Sequence, residues 1–257
     1  MPDPREVWSF DTRHIGRRVL VYDTLASTND TAAELASNAE NIGTAVVADF
    51  QTTGRGQYGR TWLARPGSAL LLSVLIAPPS QLRRPVILTA WAAVSVAEAI
   101  RTLSGVQAKI KWPNDLLIRG KKVCGILIEQ RVGTVVGIGM NLSQSAEEFT
   151  GAELPDATSL TIAIGAVIDL RTAVAAVVRQ LDAEYDRLVE GELVPLEADW
   201  KWRIGLLGRP VTAVLADNET VSGRLRELTF DGLELEVGEA GIRVLRPELV
   251  RQLLPVT

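Results

Sequence analysis

The sequence predicts an α+β fold: a mixed sheet with packed helices, followed by a small C-terminal β-barrel. Three observations predict it. Apolar runs of strand length at 18–22, 44–50, 69–76, 116–118, 123–128 and 135–142 are interspersed with long helical patterns at 85–104 and 170–189. From about Gly205 the apolar residues alternate strictly, in Val211-x-Ala213-x-Leu215, Val221-x-Gly223-x-Leu225, Leu233-x-Leu235-x-Val237 and Ile242-x-Val244. Turn residues at Asp217-Asn218, Asp231-Gly232 and Glu239-Ala-Gly241 divide these short strands. A chain of 257 residues suits one large domain with an appendage, read as 1–204 and 205–257.

Taken in order, the strand at 18–22 leads to Ser27-Thr28-Asn29-Asp30, which opens a helix to about Ser37; Ser27-x-x-Asp30 resembles a capping box. On residue type alone, Ser27 and Thr28 are cap residues. The strand at 44–50 runs into 51–60, which holds Gly54, Gly56, Gly59, Arg55 and Arg60 but no aliphatic side chain. Such a segment cannot bury itself and is expected to stay mobile until a ligand orders it. Its Gly54-x-Gly56-x-x-Gly59 matches the dinucleotide fingerprint in form only. A strand follows instead of a helix, and Pro78-Pro79-Ser80 stands where the ribose-binding acid belongs. The chain has no Walker Gly-Lys-Ser/Thr and no kinase His-Arg-Asp or Asp-Phe-Gly. What remains is an arginine-bearing loop with accessible N–H groups, suited to an anion that the protein closes over.

The helix at 85–104, with Trp91, reads as core, and 109–111 begins a second strand region. Leu116-Leu117-Ile118 and 123–128 are strands joined by Arg119-Gly120-Lys121, which puts Asn114 and Asp115 at one strand's start and Lys122 near the next. The glycines of Val135-Val-Gly-Ile-Gly-Met-Asn-Leu142 serve either the close approach of another group or packing against a helix. Residues 143–157 read as a polar loop, 170–189 as an amphipathic helix, and 193–202 as a shorter helix before the boundary.

Composition removes several classes. No apolar run reaches the roughly 18 residues of a membrane span, and the first residues lack a signal-peptide pattern; a soluble, cytoplasmic protein with no membrane partner is expected. One histidine (His14) and one cysteine (Cys124) leave no His/Cys metal cluster and argue against Ser-His-Asp or Cys-His catalysis. Cys124, within Val123-Cys-Gly-Ile126, reads as a small core residue. A net charge of −4 argues against broad nucleic-acid binding.

Four of the five lysines (Lys109, Lys111, Lys121, Lys122) fall between 109 and 122, in a chain that otherwise takes its positive charge from 22 arginines. On its own, this is a solvated basic hairpin. With the glycine loop and the Gly-x-Gly-x-Asn strand end, it suits a phosphate or carboxylate ligand. Asp115 could share a Mg²⁺ through phosphate oxygens. Without histidine chemistry, catalysis by positioning and charge neutralisation is expected, as in nucleotidyl or phosphoryl transfer to a carboxylate.

Gly54-Arg-Gly-x-x-Gly-Arg60, Lys111-Trp-Pro-Asn-Asp-Leu116, Lys122-x-x-Gly-Ile-Leu-Ile-Glu129 and Gly137-x-Gly-x-Asn-Leu142 resemble biotin protein ligases in order and spacing, over roughly residues 18 to 257. The resemblance implies a fold like that of class II aminoacyl-tRNA synthetases, with an SH3-like C-terminal domain. It implies that biotin and MgATP give biotinyl-5′-adenylate and pyrophosphate. A lysine of the biotin carboxyl carrier protein or domain of an acyl-CoA carboxylase then takes the biotin.

The resemblance also implies residue roles. Lys122 falls at the family's catalytic lysine, and with Arg55 it would offset repulsion between carboxylate and α-phosphate. Asp115 would assist Mg²⁺ or orient the acceptor amine. Ser27, Thr28 and Gln51 would hydrogen-bond the ureido group, and Asn29, Gly54, Gly125 and Gly137 would complete the biotin pocket with Arg55 and Lys122. Gln57, Arg60, Lys111, Asn114 and Asn141 would contact ATP or the adenylate, and Trp62 would wall the site. Gln57 departs from the arginine common in the family, so looser retention of the adenylate is expected. A three-helix DNA-binding module, at about 11–12 residues per helix, does not fit before Arg18; a ligase without operator binding is expected, and a homodimer stays open. A lipoate-type ligase and a non-catalytic adenylate sensor are the alternatives.

Overall fold

A computed structural model describes residues 2–238 and 241–256 of the chain. Eight strands make one mixed sheet: β1 (Glu6–Trp8), β2 (Val19–Leu25), β3 (Ala45–Gln51), β4 (Ala69–Ile76), β5 (Lys109–Lys111), β6 (Asp115–Ile118), β7 (Lys121–Gln130) and β8 (Thr134–Asn141). Their spatial order is β1-β2-β3-β4-β8-β7-β6-β5. Among these eight strands only β2 and β3 pair in parallel, and the crossover that a parallel pair requires carries α1 (Thr28–Glu34).

Period-two alternation sorts the side chains onto two faces. Val21, Val47, Leu72, Ile126, Val136 and Ile138 belong to the main core, which α2 (Pro85–Ser104) and α5 (Leu170–Val189) cover. Leu20, Val46, Leu75 and Val135 face the other way, onto Ala32 and Leu35 at α1. The open stretch of that second face, beyond α1, holds the site.

α2 starts with Pro85 in its first turn and stops at Gly105, whose left-handed φ of 68° lets its N–H reach the Arg101 carbonyl at 2.8 Å. With a mean hydropathy of 1.5, it is long and apolar enough to cross a membrane. Because 67% of that apolar window is buried inside the fold, the composition is that of a core helix. On α5, Asp182 points into the protein. Its carboxylate accepts the backbone N–H groups of Arg13 (2.8 Å), His14 (2.6 Å) and Ile15 (2.7 Å), pinning the N-terminal segment to the helix.

The C-terminal strands β9 (Pro210–Leu215), β10 (Thr220–Leu228), β11 (Leu233–Glu236), β12 (Ile242–Leu245) and β13 (Val250–Pro255) form an antiparallel sheet in the order β12-β11-β10-β9-β13. α3 (Ala146–Gly151), α4 (Leu160–Ile164) and α6 (Leu193–Ile204) complete the helices, and α6 ends at Gly205 with φ 66°. The small sheet is joined closely to the large one. The Trp112 indole donates to the Val250 carbonyl at 2.8 Å, and Trp200 packs between Trp112 and Phe230 with ring centroids 5.6 and 5.3 Å away. Arg84, before α2, binds Asp231, Glu248 and the Phe230 carbonyl.

Several expectations need correction. Residues 143–157 are not all loop: Ser145 and Glu148 form a reciprocal capping box that starts α3. The capping box expected at Ser27 and Asp30 does not form; Ser27 flanks α1 without a side-chain cap bond, and Asp30 turns to Arg55. β1 was not anticipated, and of the four or five short strands expected in the C-terminal part the fifth, β13, had no assigned position. A register shift between Val250 and Gln252 breaks the alternation that would have signalled β13. The turn expected at 239–241 rests on residues 239 and 240, outside the described residues.

Candidate active site

The floor of the site is glycine. Gly125 of β7 and Gly139 of β8 are register partners on the open face. A Cβ at Gly139 would stand 2.6 Å from the Trp62 indole, and one at Gly125 would stand 3.1 Å from the same ring. The glycines therefore serve a close approach, with the ring lying across both strands. The Trp62 Nε1–H is buried with no partner. Around this floor opens a cleft of about 610 Å³, a size that suits a small-molecule substrate. Gly139→Ala should lift the indole off the floor and raise substrate KM by about tenfold or more. Steady-state kinetics on both small substrates would check this, and an unchanged KM would show that the ring's seat does not matter.

At one end of the floor stand Lys122 and Asp115, on adjoining strands, with Nζ 2.6 Å from Oδ1. Both are partly shielded, with side-chain exposures of 34% and 17%. The 156–158 segment pins the Lys122 backbone: its N–H reaches the Asp156 carbonyl at 2.7 Å, and its carbonyl accepts from Thr158 at 2.8 Å. The ammonium lies 5.7 Å from the Trp62 ring centroid. The site thus has a fixed cation with a carboxylate beside it.

At the other end, Thr28 gives both its N–H (2.7 Å) and its hydroxyl (2.9 Å) to the Gln51 amide oxygen. Ser73 of β4 shares its hydroxyl proton between Thr28 Oγ1 (2.7 Å) and Asn29 Oδ1 (2.5 Å). Asn29 occupies the space left by Gly137, where a Cβ would be 2.3 Å from its Oδ1. Ser73 was not foreseen, because one small polar residue in an apolar strand leaves no mark in the pattern.

The glycine segment is a folded strap rather than a formless loop. Gly56 N–H bonds the Arg60 carbonyl (2.7 Å), and Trp62 N–H bonds that of Gly54 (3.0 Å). At its tip Tyr58 holds a left-handed φ of 57°. The Arg251 guanidinium of β13 sits 4.5 Å from the Tyr58 ring centroid, so the C-terminal sheet reaches the site mouth, a contribution the alternation pattern could not reveal. Gln57, Arg60, Lys111 and Asn114 all line the cleft. Two asparagines are already engaged: Asn114 Nδ2 holds the Ile126 carbonyl at 2.6 Å, and Asn141 bonds the Thr158 carbonyl and Gln144, tying the 143–159 segment to the sheet.

Arg55, expected to face the substrate anions, lines the cleft and is bound there by two carboxylates. Asp30 takes it bidentately at 2.7 Å for each bond, and Glu129 takes it at 3.1 Å. The Asp30 hydrogen bonds raise the Arg55 pKa and hold the Asp30 carboxyl below its usual range. Burial pushes the Cys124 thiol well up, in keeping with a core residue. The Asp115 carboxylate is held by Lys122, and no cluster of three His, Cys, Asp or Glu occurs among the described residues.

The site thus combines a glycine floor, a basic strap and a lysine–carboxylate pair on a mixed sheet joined to a small antiparallel sheet. The model of the biotin/lipoate A/B protein ligase family matches residues 21–144. The chain is 34% identical over 241 residues to the bifunctional ligase/repressor BirA of Bacillus subtilis, covering 91% of this chain and 71% of that one. To the biotin–[acetyl-CoA-carboxylase] ligase of Mycobacterium tuberculosis it is 32% identical, covering 89% and 88%. The biotin protein ligase from Aquifex aeolicus in complex with biotin and ATP superposes with a TM-score of 0.78 at 28% identity, covering 93% and 98%. The chain belongs to the biotin/lipoate A/B protein ligase family and, within it, to the biotin protein ligases.

Proposed function

We propose that this chain activates biotin with ATP to biotinyl-5′-AMP and transfers the biotin to a lysine of a biotin carboxyl carrier protein or domain. The observation that carries the reading is the Lys122–Asp115 pair at the end of the Gly125–Gly139 floor, under the strap. The relatives named for biotin ligation and the biotin- and ATP-bound structure support it.

In the first step a carboxylate oxygen attacks the α-phosphorus and pyrophosphate leaves. Two anions must approach, and Lys122 offsets their repulsion where they meet. Arg60 and Lys111, which line the same cleft, add positive charge for the phosphates. The hydrogen-bonded end made by Ser27, Thr28 and Gln51 suits the ureido group, which has both donors and acceptors. Trp62 covers the bound molecule and excludes water from the mixed anhydride. In the second step the neutral lysine amine of the acceptor attacks the anhydride carbonyl, AMP leaves, and the amine sheds a proton; Asp115, beside Lys122, orients that amine. Mg²⁺ enters on the ATP phosphates as part of the substrate. Cytoplasmic ATP and carboxylase carrier domains are the supply and the acceptor, and we place the enzyme there.

Incubation with biotin, MgATP and a carboxylase carrier domain should add one biotin to the domain, read by intact mass, and lipoate should give no adduct. A lipoyl adduct without a biotinyl one would overturn the reading. Because Gln57 adds no charge to the strap, biotinyl-5′-AMP should escape measurably and label unrelated lysines. Gln57→Arg should cut that background several-fold, and equal background labelling would count against it.

A further inference from the structure

We infer that Glu129 is a positioning residue that fastens the glycine strap to the wall facing the ureido end, so that the two are set as one unit. This rests on the biotin-ligase reading above. Glu129 stands on the open face of β7 with 21% of its side chain exposed. Its Oε2 accepts from two elements at once: Asn29 Nδ2 of α1 at 2.6 Å and Arg55 of the strap at 3.1 Å.

Asn29 has little freedom. Its Oδ1 takes the Ser73 proton, and Gly137 leaves room for its amide and nothing larger. It follows Thr28, whose N–H and hydroxyl are fixed on Gln51. Beside the direct Arg55–Asp30 link to α1, the Glu129 carboxylate is therefore the node that sets Arg55, and with it the turn from Gly54 to Trp62, against the fixed Asn29 amide next to the Thr28–Gln51 pair.

Electrostatics favours a tether over a mobile cation. Arg55 between Asp30 and Glu129 makes a group of net charge −1. Moving the guanidinium onto a substrate carboxylate would leave two carboxylates uncompensated beside incoming anions, and like charges at that range oppose binding. Arg55 stays with its acids, and Lys122 remains the cation at the reacting atoms. The two acids are not equivalent. Asp30, itself on α1 and 52% exposed, links the strap only to its own flexible side chain, whereas Glu129 joins the strap to β7 and to the Asn29 amide that packs on Gly137.

Limited trypsin digestion of the ligand-free protein and steady-state kinetics, applied to Glu129→Ala, Glu129→Gln and Asp30→Ala, test this. In Glu129→Ala, cleavage after Arg55 and Arg60 should speed up about tenfold, and the KM for biotin should rise about tenfold. The kcat of adenylate formation at saturating substrate should change by less than about threefold. Asp30→Ala should loosen the strap but leave the biotin KM within about twofold, since the wall keeps its acceptor. The isosteric Glu129→Gln keeps an acceptor oxygen, should fold normally, and should recover part of the loss. Strap protection and biotin KM both unchanged in Glu129→Ala would overturn the inference. So would a fall in kcat with KM unmoved, which would make Arg55 a cation of the reaction. If the wild-type chain forms no adenylate from biotin and ATP, the biotin reading fails, while the digestion of ligand-free protein still decides whether Glu129 holds the strap.

Discussion

Lys122→Ala is expected to slow biotinyl-5′-AMP formation by about 10²–10³-fold while leaving the protein folded, because removing one preorganised partner of developing charge typically costs about 3–4 kcal/mol of barrier. Two features place this residue at the upper end. Its backbone is pinned on both sides by the 156–158 segment, so its ammonium is set in place before the substrates arrive. Its removal also leaves the Asp115 carboxylate unpaired where two anions must meet, which turns lost attraction into repulsion. Lys122→Ala/Asp115→Asn should therefore bind substrates better than Lys122→Ala alone and still turn over slowly. Lys122→Arg should rescue little: the methylene and ammonium fit against the Gly125 backbone beside Trp62, and a planar guanidinium needs more width there. Stability should change little, since partly exposed ion pairs contribute about 0–1 kcal/mol. Pyrophosphate release and urea unfolding would measure the two sides, and near-normal turnover would remove Lys122 from the chemistry.

The largest stability effect is expected far from the site, at Asp182. Three backbone N–H groups converge on its carboxylate, one buried at Ile15 and two part-buried at Arg13 and His14, and in Asp182→Ala they lose their acceptor. Leaving a buried donor unsatisfied costs about 1–3 kcal/mol. Three that share one acceptor, at graded depth, should together cost about 3 kcal/mol, a large share of the 5–15 kcal/mol of a typical native protein. Asp182→Asn keeps one acceptor oxygen and should lose about half as much. Urea midpoints would read the difference, and a midpoint within error of wild type would mean that water replaces the carboxylate without cost.

The two effects differ in how far the sequence announces them. Lys122 and Asp115 sit in a dense local motif, and the strand pair that carries them is readable from its apolar runs. The glycines at 137 and 139 could be seen to need space, though not what fills it: Gly139, with Gly125 beside it, receives Trp62 and Gly137 receives Asn29. Asp182 looked like an ordinary polar residue on an amphipathic helix, because its three partners lie 167 to 169 residues away. The same distance blindness explains Arg55. Its charge was legible and its pairing with Asp30 and Glu129 was not. The Ser145–Glu148 capping box is a local signal that was open to reading, since serine three residues before glutamate is its usual form.

The join between the two sheets has a consequence for how the gene could be dissected. We propose the boundary at 204/205 as a division of topology. The aromatic stack of Trp112, Trp200 and Phe230, with the Trp112 indole bonded to the Val250 carbonyl, makes the last fifty or so residues undetachable as a folding matter. A truncation ending after Ile204 would bare two tryptophans and strand an indole donor. Such a fragment should aggregate on expression, so an inactive truncation would say nothing about whether the C-terminal strands take part in catalysis.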